Sequence, residues 1–114
     1  MSGGDLIMEM QGLNARLNTS IKMLRKTGTE LAEAEREYRI LERQESLKLK
    51  DSGMAVTLID KTVYGIKAVA DARFKRDVAS VTYDANKESI NVLKIQIRVL
   101  NDQIAREWGT PQSS

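Results

Sequence analysis

Between Met10 and Leu41 the chain keeps an unbroken seven-residue repeat. Met10, Leu17, Leu24, Leu31 and Tyr38 hold one position, and Leu13, Ser20, Thr27, Ala34 and Leu41 the position three residues on. Spacing of this kind defines a coiled-coil seam on a long helix. A single helix cannot bury its own apolar stripe, so the chain must find another helix in itself, in its copies or elsewhere.

The rest of the sequence agrees with an all-α fold. Aromatic residues make up 4% of the chain and the only proline is Pro111, which suits long helices and not a many-turned sheet. A first helix is expected from about residue 5, with Asp5 as N-cap before Leu6, to about residue 50, where Asp51-Ser52-Gly53 supplies a stop. Residues 51–65 form the tip, where Thr57 followed by Asp60 reads as a capping signal for a short helical turn through Leu58, Ile59 and Val63. A second long helix follows from about 66 to about 108, ended by Gly109 and Pro111, with 109–114 as a tail. A competing reading exists at Leu93 to Val99, where apolar and polar residues alternate as in a strand. The absence of proline and glycine from Ala68 to Glu107 favours the helix.

Two helices of similar length joined by a short tip should fold back antiparallel, with position i opposite roughly position 115 minus i. The expected architecture is a single elongated domain: a long antiparallel helical hairpin, or coiled coil, that assembles into a helical bundle. Small residues on the first seam, Ser20, Thr27, Gly28 and Ala34, allow the opposite helix a close approach.

The need for assembly comes from the second helix. On a wheel its apolar residues form two stripes about 120° apart. One holds Phe74, Val78, Val81, Ala85, Val92, Ile95 and Val99; the other holds Ile90, Leu93, Ile97, Leu100, Ile104 and Trp108, with Ala79 leading into it. One neighbour cannot cover both, so homo-oligomerisation is expected, with the stripe from Ile90 to Trp108 as the oligomer or partner interface.

Enzyme chemistry is not indicated. The chain has no histidine and no cysteine, which removes imidazole bases, thiol nucleophiles and the common zinc ligands. Its glycines lack the spacing of a phosphate-binding loop, and Ser20, Ser80 and Ser89 have no evident base. No catalytic residue, metal ligand, cofactor or small-molecule substrate is assigned. Tyr38 and Trp108 fall on apolar seams, which favours packing over ligand stacking. The longest uncharged run, Ser52 to Ile59, is too short to span a bilayer, and Met1-Ser-Gly-Gly lacks the parts of a secretion signal, so a cytoplasmic location without membrane contact is expected.

One binding signal stands beside the apolar stripes. Met10 to Thr29 carries Arg16, Lys22, Arg25 and Lys26 with no acid, and the antiparallel partner stretch adds Lys87, Lys94 and Arg98 against Glu88 and Asp102. Lys22, Arg25, Lys26, Lys94 and Arg98 are therefore candidate phosphate contacts, the basis of an alternative reading as a nucleic-acid-binding accessory protein.

The segments Ala72-Arg-Phe-Lys-Arg-Asp-Val-Ala-Ser-Val-Thr-Tyr83, Glu88-Ser-Ile-Asn-Val-Leu-Lys94 and Gln103-Ile-Ala-Arg-Glu-Trp108, with Val56-Thr-Leu-Ile59, resemble small helical early-gene proteins of tailed phages and prophages of Gram-positive bacteria. That resemblance implies work inside the infected host, on a phage replication or recombination factor or on a host defence or nuclease component. It brings no established activity and no functional residue.

Overall fold

The computed structural model describes residues 3–109. They form three helices: α1 (Gly3–Asp51), α2 (Val56–Val63) and α3 (Lys67–Glu107). Leu93 to Val99 lies inside α3, so the alternation read there as a strand belongs to a helix in which one side is packed and the other exposed. Among the described residues no helix is long and apolar enough to cross a membrane.

The ends of the helices follow from local chemistry. α1 begins at Gly3, so Asp5 sits within its first turn instead of capping it, where its charge still suits the positive end of the helix. It ends in a Schellman arrangement around Gly53, whose φ is +92°. The Met54 N–H donates to the Leu49 carbonyl at 3.1 Å and the Gly53 N–H to that of Lys50 at 3.0 Å, which satisfies carbonyls the helix leaves open. α2 starts one residue ahead of Thr57, after an N-cap Ala55 that offers no side-chain bond. The Thr57–Asp60 capping pair is therefore not formed. α2 is held instead by the side it buries, with Ile59 and Val63 inside and Val56 and Leu58 out. Gly109, at φ +65°, follows the last turn of α3 as expected.

The described residues divide into two compact units, 3–25 with 85–109 and 26–84. In the first, Leu6 and Leu13 of α1 pack on Leu93 and Leu100 of α3, flanked by Met10, Leu17, Ile97 and Ile104. Complete burial of a leucine such as Leu6 contributes about 1.5–3 kcal/mol, so this four-leucine cluster dominates the unit's apolar stabilisation. The seam turns polar towards residue 20, where the Asn86 side-chain amide donates to the Ser20 carbonyl at 3.0 Å and the Ser20 and Ser89 hydroxyls lie 3.5 Å apart.

In the second unit Tyr38 of α1, Val63 of α2 and Val69 and Ala72 of α3 form the core, with Leu41, Leu49 and Ile66 against them. Gly28 lies under Tyr83, where an added Cβ would come within 3.2 Å of the ring. The small residue there makes room for the large one. Among the described residues, no buried side-chain polar atom lacks a hydrogen-bond partner.

Within each unit the two long helices run antiparallel. In the second, Gly28 against Tyr83 and Glu35 against Arg76 each sum to 111, a register shorter by about one helical turn than the expected 115. The difference comes from the tip: α1 runs on to Asp51 and α2 folds its own buried side back onto the hairpin, so the two long helices are not joined by a symmetric turn.

Candidate functional site

The repeat of α1 extends from Leu6 to Glu45, and each of its seam positions is buried or half-buried. α3 answers with a seam of its own. Val69, Arg76, Tyr83, Ile90, Ile97 and Ile104 hold one position, and Ala72, Ala79, Asn86, Leu93 and Leu100 the one three residues on, all buried or half-buried. In heptad letters these are positions a and d.

This seam corrects the assignment of the interface. Ile90, Leu93, Ile97, Leu100 and Ile104 were expected to meet a second molecule; they are instead the residues that face α1 within one copy. Leu93 and Leu100 retain 4% of their surface each. The physical reason is phase: these residues continue the a/d repeat that matches the α1 seam, and polar members such as Arg76 and Asn86 hide that continuity from a reading of apolar residues alone. Trp108, the last member of the expected interface, lies outside the repeat. It is exposed, and its ring rests against Gly3, where an added Cβ would fall 2.6 Å from Cζ2.

The other stripe stays open. In the second unit Phe74, Val78 and Val81 are exposed, Phe74 by 70%; in the first, Val92, Ile95 and Val99 are, Ile95 by 54% and Val99 by 59%. These residues occupy positions c and f of α3, whose centre lies roughly 160° from that of the seam at 100° per residue, wider than the 120° expected. The packed side and the open side of α3 are thus nearly opposite. In each unit this side of α3 carries valine, isoleucine or phenylalanine in water, apolar surface that the fold of one copy does not cover.

Polar chemistry gathers in the second unit around Arg76. Its guanidinium donates to Glu35 at 3.2 Å and to Asp77 at 2.8 Å and lies 4.7 Å from the Tyr38 ring centre. Arg39 adds a bond to Glu35 at 2.9 Å and covers the same ring at 5.2 Å. The Arg76 hydrogen bond holds the Glu35 carboxyl below its usual pKa, against an opposing push from desolvation and with further help from Arg39. Burial raises that of Tyr38. The charged groups of the cluster are thus bonded to one another, and the two guanidinium groups lie over the Tyr38 ring. Among the described residues no three His, Cys, Asp or Glu side chains gather as a metal site would need.

Lys22, Arg25, Lys26, Lys94 and Arg98 are exposed and make no ion pair with a described residue. Heptad position sorts them into two directions. Arg25, Lys94 and Arg98 are at b and e, on the flank of their helices, whereas Lys22 and Lys26 are at f and c, on the far side of α1 from its seam. They do not make one continuous stripe.

No family model, curated protein or solved structure matches the chain. The geometry of the side chains is therefore what carries the functional argument.

Proposed function

We propose that this protein is a non-enzymatic interaction module: a helical hairpin that associates with itself through the exposed side of α3 into a helical bundle and, so assembled, grips another protein. The observation that carries this reading is the c/f stripe, left open on the side of α3 away from the seam. Covering it with another helix is the common way for such a surface to leave water, and closed homo-oligomers are the usual form. The resemblance to phage early-gene proteins supports a place for the module in the cytoplasm of an infected bacterial host, acting on a phage replication or recombination factor or inhibiting a host defence or nuclease component.

Sedimentation equilibrium of the full chain at micromolar concentration tests the assembly step. A mass of two or more chains is expected, and a monodisperse monomer would remove its basis. For the partner, a pull-down from infected cells with the wild-type chain should retain a protein that is lost when Val92 and Ile95 are both changed to Asp.

A second reading, contact with a nucleic-acid backbone, draws on the five exposed basic residues that form no ion pair with a described residue. It expects binding to DNA or RNA that falls steeply with salt and vanishes when Lys22, Arg25, Lys26, Lys94 and Arg98 become Ala. Absence of binding at low salt would retire it.

A further inference from the structure

The open stripe of α3 carries a repeat of its own. It runs Phe74, Val78, Val81, Ala85, Glu88, Val92, Ile95, Val99, at alternating spacings of four and three, which makes it a second complete heptad seam on one unbroken helix. Read from either end it nearly matches itself. Laid antiparallel about a two-fold axis between residues 86 and 87, Phe74 meets Val99, Val78 meets Ile95, Val81 meets Val92, and Ala85 meets Glu88, each pair occurring twice. Every layer then joins two apolar residues except the central ones, where the small Ala85 leaves room for the methylenes of Glu88 to lie along the seam while its carboxylate reaches water.

Charge selects the same direction. In that alignment the residues flanking the seam put Asp77 of one copy beside Arg98 of the other, twice per dimer, and Asp84 beside Asn91. Asp77 and Arg98 are both exposed on their own chain, and the carboxylate of Asp77, though bonded to Arg76, is more than half exposed. A parallel, in-register pairing does worse on each point. It stacks Glu88 directly on Glu88 within the seam and sets Asp77 and Arg98 against Thr82 and Gln103, with no ion pair at all. Like charges facing each other in a seam disfavour that alignment, whereas opposite charges on the flanks fix partner and orientation.

From the repeat, the near-palindrome and the charge match we infer that the occupant of this face is a second copy of the chain, paired antiparallel along α3 so that Val81 meets Val92 and Asp77 meets Arg98. The inference rests on the assembly proposed above and adds direction and register to it.

Because the chain has no cysteine, single cysteines report the geometry directly. Val81→Cys and Val92→Cys chains, mixed and oxidised, should give a covalent heterodimer in high yield, while each variant alone gives little. Linkage of each variant to itself, with little mixed product, would overturn the antiparallel register while leaving self-association standing. A light-scattering mass of one chain for the wild type would instead overturn the assembly on which it rests. A charge exchange provides the second measurement. Asp77→Arg alone and Arg98→Asp alone should each weaken association, and the double variant should recover most of it, with helicity by circular dichroism unchanged throughout. No recovery in the double variant would count against the proposed pairing.

Discussion

Arg76 occupies a seam position that neighbouring turns give to valine or tyrosine, and its side chain keeps 21% of its exposure. A charge there is tolerable because Glu35, Asp77 and the Tyr38 ring surround it, and it works against any register that would leave it unpaired. The pH dependence has a definite sign. Glu35 has a lowered pKa in the fold, chiefly through the Arg76 hydrogen bond, so its contribution to stability is present above the usual glutamate value of 4.5 and is lost as pH falls through its lower folded value. Thermal melts from neutral pH into this acid range should show a loss for the wild type that exceeds the loss for Glu35→Gln, and Glu35→Gln should melt lower at neutral pH. Parallel curves for the two chains would assign Glu35 no role. At Gly53 it is the backbone that sets the residue. A side chain at its φ of +92° brings Cβ against the following carbonyl, so Gly53→Ala should cost about 1–2 kcal/mol in urea unfolding.

At the scale of the element, the two sides of α3 should answer differently to the same kind of truncation. Leu100→Ala removes a buried side chain from the four-leucine cluster and should destabilise the chain by about 2–5 kcal/mol. Ile95→Ala acts on a side chain that is half in water, and should leave the unfolding of the isolated chain nearly unchanged while weakening association. Chemical unfolding at low concentration, compared with sedimentation at high concentration, separates the two effects.

These two sides also mark how far the sequence could be read. The repeat from Met10 to Leu41, the stop at Gly53 and the presence of two stripes on α3 were legible, because heptad spacing and glycine chemistry are local. Which stripe faces α1 was not. The choice depends on phase between distant segments, and the matching repeat on α3 passes through Arg76, Tyr83 and Asn86, which a search for apolar residues leaves out. The pairing of small with large, Gly28 under Tyr83, was the signal that could have set the phase. The basic residues were legible as a cluster in sequence but not as separate directions, since placing Lys94 and Arg98 on the flank of the seam needs the phase of α3.

For the whole molecule, the central claim is that one side of α3 completes the hairpin and the opposite side completes an assembly. Each half has its own consequence: damage to the seam unfolds the chain, and damage to the open stripe releases folded monomers. The most direct test is the mass in solution, by light scattering, of the wild type and of a chain carrying Val92→Asp with Ile95→Asp, both checked for helicity. The account predicts a wild-type mass of at least two chains and a helical monomer for the variant. A wild-type monomer, or a variant that keeps the wild-type mass, would contradict it.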